Sequence, residues 1–323
     1  MRRIRNLVLI LANGYLLVYF SELMFWSRPR PEDSLVNWLI TWLVYSLLGV
    51  VLLAAVAHFR VRSLWALFLC GAMFGWLTEG VIVQTMYDVF PLQISWTGLA
   101  WHAAISVMLG WYGLRRVLLA NRPWYTFLAS CGLGLFLGIW SIFWWVEEPG
   151  HIASVNSFAV FVSISTLLLV ASYVLCNWAL QITPLEFPNW IAILSLAFLA
   201  LIFFLEVVPE RIWAVLVLPP LMAGLYFTLQ RNRQCERGVS IFSEIAGKIP
   251  PIQYLILLAA PLVASAFYAL AAHIQIRLFT GWLVYALATP AGFIILGLSI
   301  YKIWRRPVPP PAPESEIIFD EGN

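Results

Sequence analysis

Ten separate runs of apolar residues divide this chain from one end to the other, at roughly 7–26, 36–57, 64–83, 97–114, 124–146, 157–178, 189–207, 212–229, 252–273 and 280–301. A helix rising about 1.5 Å per residue needs about 20 residues to cross a hydrocarbon core of roughly 30 Å. Each run has about that length. Inside lipid every backbone group must be satisfied within its own segment, and single crossings do this only as helices. The expected fold is all-α: a polytopic transmembrane helical bundle of about ten spans. Charge content agrees. Only 11% of residues are charged, against about 25% in soluble domains, so lipid must cover much of the surface.

The basic residues orient the spans. With the N-terminus inside, 15 of the 19 Lys and Arg fall on the inner side. They are Arg2, Arg3, Arg5, Arg60, Arg62, Arg115, Arg116, Arg122, Arg231, Arg233, Arg237, Lys248, Lys302, Arg305 and Arg306. Arg28, Arg30, Arg211 and Arg277 fall outside. This is the positive-inside pattern, and it predicts both termini in the cytoplasm. Losing one span would reverse every later loop and destroy the bias. Residues 1–306 are therefore expected to form one integral membrane domain. Residues 307–323, opening Pro307-Val-Pro-Pro-Pro-Ala-Pro313 and ending acidic, are expected to form a disordered cytoplasmic tail. The N-terminal run follows basic residues but leads into Glu22-Leu-Met-Phe-Trp26 with no small-residue cleavage site, as an uncleaved first span would. The expected place is the cell membrane, on the pattern of a bacterial inner membrane, with the lipid bilayer as first partner.

Several function classes lack a footprint. There is no basic stripe with exposed aromatics for nucleic acid. There is no phosphate-binding glycine loop, His-Glu-x-x-His helix or Gly-x-Ser-x-Gly turn, and no cofactor is expected. Cys70, Cys131, Cys176 and Cys235 have no zinc spacing and no predicted outer-loop pair for a disulfide. The motifs of the CAAX-protease-like intramembrane peptidases are also missing. Glu79 is single with Val83 four positions later, Gly98 stands four before His102, and His151 and Asn156 are five apart.

Chemistry points to the acids. An ionisable group at the bilayer centre costs at least ~2.5 kcal/mol, so an intramembrane one is a functional candidate. Glu79 stands 15 residues into an outgoing span, so it has climbed roughly 22 Å and lies about 8 Å below the outer boundary. His102 sits at about the same depth in the returning span. A short hairpin joins the two, so Glu79 and His102 are expected to meet as a proton-coupling or acid–base pair. Glu22 and Glu206 reach similar depths in spans 1 and 7. Gln84, Tyr87, Asp88 and Trp96 add polarity to the same hairpin. A second cluster, Glu147, Glu148 and His151, has residue types that suit a divalent ion or acid–base work, or a solvated outer loop.

Two further patterns bear on helix packing. Pro219, Pro220, Pro261 and Pro290 fall well inside the last three spans, as in carriers whose broken helices surround a midplane site. Gly71-x-x-x-Gly75 and Gly134-x-x-x-Gly138 have the spacing for close helix contact, which is expected to bury spans 3 and 5 and bring Glu79 toward Glu147. Three readings result: a carrier or permease for a small solute or lipid, an intramembrane hydrolase or lipid-modifying enzyme with an outward Glu/His site, and a membrane anchor subunit binding a protein partner through its tail.

Overall fold

The structure, a computed structural model, describes residues 2–180, 189–235, 238–277 and 280–307. Among them the regular structure is helical throughout, without a strand. Nine helices among the described residues are long and apolar enough to cross a membrane. In chain order the long helices are α1 (Ile4–Trp26), α2 (Leu35–His58), α3 (Leu64–Ile82), α4 (92–119), α5 (Pro123–Glu147), α6 (Val155–Leu180), α7 (Trp190–Glu210), α8 (Ile212–Cys235), α9 (Pro251–Ile274) and α10 (Gly281–Trp304). The helix outside the nine is α4. It winds as α-helix over Leu92–Ser95, as the wider π-helix over Trp96–Leu114, and as α-helix again over Arg115–Leu119. It spans more residues than the apolar run at 97–114.

Local signals explain several starts. Ser34 Oγ accepts from the Asn37 N–H at 3.1 Å ahead of α2, and Ser63 Oγ from the Ala66 N–H at 3.4 Å ahead of α3. Proline opens α5 and α9, where its missing N–H removes no helical bond.

Loops that the charge pattern assigns to one side do meet. At the arginine-rich end the Ile241 N–H donates to the Val61 carbonyl at 3.1 Å, and Arg116 Nη1 to the Glu244 carbonyl at 2.9 Å. There too, Gln253 Nε2 lies 3.2 Å from Asn121 Oδ1 and Arg231 Nη2 3.1 Å from the Arg306 carbonyl. At the opposite end Arg28 reaches Glu148 at 2.5 Å and Arg211 reaches Asp88 at 2.9 Å. These pairings require successive helices to alternate in direction, α4 included.

The centre of the bundle is α3, with 89% of its apolar stretch buried against 17% for α10. It packs on α2, α4, α8 and α10. Lipid tails give no hydrophobic gain between helices, so close packing and hydrogen bonds must hold them. A Cβ on Gly75 would lie 2.2 Å from the Gly98 carbonyl oxygen, and one on Gly71 would lie 2.9 Å from Ala103 Cα. Only glycine lets α3 and α4 come this close. The second glycine pair faces elsewhere: a Cβ on Gly134 would lie 2.4 Å from the Ala260 carbonyl oxygen, and one on Gly138 2.9 Å from the Phe267 ring. Thus α5 packs on α9, and its small-residue stripe does not bring Glu147 toward Glu79.

The prolines differ from one another. Pro219 and Pro220 lie in the first turn of an α-helical stretch, Leu218–Cys235, that comes after a tighter 3-10 stretch, Ile212–Leu216. Pro261 lies in the first turn of Ala259–Ile274, just past an interruption at Leu258, because it has no N–H for the Leu257 carbonyl. Only Pro290 sits inside an unbroken helix. So α8 and α9 are interrupted and α10 is not. All but the first residue of the 307–323 tail lies outside the described residues.

Candidate functional site

Glu79 and His102 meet. Glu79 Oε1 lies 2.7 Å from His102 Nε2, with Glu79 5% and His102 2% exposed. The other ring nitrogen, Nδ1, lies 3.0 Å from Ser21 Oγ of α1, and Ser21 Oγ donates to Ser106 Oγ at 2.8 Å. The Thr85 hydroxyl donates to Glu79 Oε2. Both carboxylate oxygens and both ring nitrogens therefore have partners, as burial demands.

Beside this group the Tyr45 hydroxyl donates to Glu22 Oε1 at 2.5 Å. Tyr45 lies in the fields of both Glu22 and Glu79. The Phe74 ring stands between the two groups, edge-on to Tyr45 at 6.0 Å and to His102 at 5.6 Å. Glu22 is partly exposed.

The helices widen where these residues sit. Glu22, Glu79 and Glu206 each lie in a five-residue π-helical turn: Tyr19–Leu23, Thr78–Ile82 and Phe203–Val207. His102 lies in the π-helical part of α4. A π turn inserts one residue, redirects the side chains beyond it and disturbs the carbonyl ladder; such turns recur at functional sites. Carbonyls in two of the turns are taken up by side chains. The Trp101 indole N–H donates to the Phe20 carbonyl at 3.0 Å, and the Tyr87 hydroxyl to the Gly80 carbonyl at 2.9 Å. Burial pushes the Tyr87 hydroxyl pKa well above the usual tyrosine value, so it stays a donor.

Proton placement is set by the partners. If Ser21 gives its proton to Ser106, its oxygen can only accept from His102 Nδ1–H. The 2.7 Å contact then holds the remaining proton. That proton bridges Glu79 Oε1 and His102 Nε2.

The other sequence candidates separate from this site. Glu206 is exposed on α7, and its carboxylate has no partner among the described residues. Glu147 is exposed as well, while Glu148 serves a clamp. Arg28 is 3% exposed and reaches across to the loop after α5. Its Nη2 donates to Glu148 Oε2 at 2.5 Å, its Nη1 to the His151 carbonyl at 3.1 Å, and its guanidinium lies 5.1 Å from the Trp144 ring centre. His151 Nδ1 is 3.7 Å from Glu148 and largely exposed. This cluster fixes the end of α1 against the α5–α6 loop. Among the described residues no three of His, Cys, Asp and Glu gather as a metal site.

Sequence reading missed Ser21, Ser106, Thr85, Tyr45 and Arg28. Two of these left a signal. Ser21 precedes Glu22 inside an apolar run, and Ser106 comes four residues after His102, one helical turn on. Comparison with known proteins adds no relative: no family model, no curated protein and no solved structure matches this chain.

Proposed function

We propose that this multi-pass membrane protein is a proton-coupled carrier of a small solute or lipid, in which the Glu79–His102 pair takes up and releases the coupling proton. The observation that carries this reading is the 2.7 Å bond between two titratable groups sealed between α3 and α4. Chains of buried acids and histidines are what proton relays in membranes are made of. A proton bridges the two groups across the 2.7 Å contact. Adding or removing a proton there changes the buried charge, which the site relieves by moving or by binding a compensating group.

Thr85 ties that charge state to a loop. It sits in the 83–91 connection, bonded to Glu79 from within, while Arg211 clips the same connection from the α7–α8 side through Asp88 at 2.9 Å and the Gln84 carbonyl at 2.9 Å. A change at Glu79 thus has a mechanical route to the arginine-poor end. The interruptions in α8 and α9 add the discontinuous helices that carriers use around their substrates. In this reading the arginine-rich end faces the cytosol of a cell whose outer boundary is this bilayer.

The test is uptake from a defined solute mixture into proteoliposomes under an imposed pH gradient, read by mass spectrometry. At least one solute should accumulate with wild-type protein and a gradient, and none with Glu79→Gln. Absence of gradient-driven accumulation, or equal accumulation by the variant, overturns the reading.

One observation favours an enzyme instead. Ser21, His102 and Glu79 stand in the hydroxyl–imidazole–carboxylate order used for acyl transfer. Against it, Ser21 is 2% exposed and its hydroxyl is turned to Ser106. Labelling of Ser21 by a fluorophosphonate would favour the enzyme, and an unlabelled Ser21 the carrier.

A further inference from the structure

Arg115, in the last turns of α4 at the arginine-rich end, is 2% exposed. Its guanidinium makes one bond among the described residues, from Nε to the Ile245 carbonyl at 2.7 Å. Nη2 is buried without a partner. The side chains in its electrostatic reach are Cys176 and Tyr173 of α6 and Tyr254 of α9, all neutral in their ordinary states. Glu244, next to the carbonyl that Arg115 holds, is turned away: its carboxylate accepts from the Tyr112 hydroxyl and lies 4.0 Å from Arg116 Nε. No ion pair to Arg115 occurs among the described residues. Tyr254 is 9% exposed, and its hydroxyl is also buried without a partner.

A buried cation without a counter-charge is among the costliest arrangements a protein can hold, and the usual remedy is an anion. With Nε committed, a guanidinium still offers the two Nη groups as a fork, a geometry that fits two oxygens of one phosphate. The Tyr254 hydroxyl supplies a further donor. The site lies where three helices end, and the short Ile241–Ile245 helix covers it through the Arg115 bond.

We propose that Arg115 and Tyr254 form a binding site for a phosphate group, entered from the arginine-rich end. The same chemistry is offered by the headgroup of an anionic phospholipid and by a free phosphate. The site is separate from Glu79–His102 and stands whether or not the protein is a carrier.

The experiment tracks thermal unfolding of the full-length protein in two arms. One titrates inorganic phosphate into detergent-purified protein, with chloride at matched ionic strength as reference. The other compares nanodiscs of phosphatidylcholine with nanodiscs containing phosphatidylglycerol. A saturable rise in the unfolding midpoint in the first arm assigns a free phosphate, and a rise in the second alone assigns a lipid headgroup. Either rise should vanish in Arg115→Met and persist in Arg116→Met, whose exposed side chain already pairs with Glu244. Tyr254→Phe removes a hydroxyl with no protein partner. It should require about tenfold more phosphate for the same shift. The proposal is overturned if neither arm shifts wild type, or if Arg115→Met or Tyr254→Phe responds like wild type.

Discussion

Replacing Glu79 by glutamine and by leucine should have very different consequences for stability, because the structure gives this side chain two hydrogen-bond partners. His102 Nε2 lies 2.7 Å from one oxygen, and the Thr85 hydroxyl donates to the other. Glutamine keeps the length and offers an NH2 and a carbonyl. The NH2 can donate to a neutral imidazole whose Nδ1–H still faces Ser21, and the carbonyl can accept from Thr85. What is lost is the difference between a charge-assisted and a neutral bond, about 1 kcal/mol. Leucine offers neither group. His102 is 2% exposed, so its orphaned nitrogen costs about 1–3 kcal/mol, and the partly exposed Thr85 hydroxyl adds up to about 1 kcal/mol. Glu79→Leu should therefore unfold more easily than Glu79→Gln by about 1–3 kcal/mol, roughly five- to hundredfold in the unfolding equilibrium. The assay is reversible unfolding of purified protein in mixed micelles, titrated with dodecyl sulfate and monitored by helical circular dichroism and tryptophan fluorescence. If the two variants agree within about 0.5 kcal/mol, or leucine is the more stable, the bonded pair is not what holds α3 against α4.

Two further outcomes test the packing. Gly75→Ala forces a Cβ to 2.2 Å from the Gly98 carbonyl oxygen, where only backbone movement can relieve it, and should cost about 1–3 kcal/mol; Gly224→Ala, with nothing within 4 Å of its Cβ, should be neutral or stabilising in the same unfolding titration. Glu148→Ala strips the buried Arg28 of its carboxylate partner and should destabilise by about 1–3 kcal/mol, whereas the adjacent Glu147→Ala, exposed and unbonded, should change stability by less than about 0.5 kcal/mol.

The pairing of Glu79 with His102 is legible in the sequence because it is a short-range problem in an extended disguise. Two antiparallel helices joined by one hairpin bring equal depths together, and counting residues from the lipid boundary gives the depth. Depth alone does not say which way a side chain faces. Glu206, expected at the same level, is exposed on the outside of the bundle instead. Glu147 lies away from the neighbour its sequence suggests, because a small-residue stripe says that a helix packs closely without naming its partner.

The sequence by itself determined that the chain is an all-α, multi-pass bundle of apolar helices. A nonpolar solvent admits only self-satisfied backbone, and each crossing needs a fixed length of apolar residues. Tertiary structure alone decided the rotation of each helix about its axis and the order of helices around α3. Those choices bring Ser21 of α1 to the far side of His102, set Tyr45 on Glu22, and leave Arg115 buried beside neutral neighbours. The physical reason is that lipid presents the same apolar surface in every direction around a helix, so hydropathy carries no rotational information once a segment is apolar all round. The π turns at Glu22, Glu79 and Glu206 deepen that gap, because each shifts the register of the remaining helix by one residue and none is marked by composition.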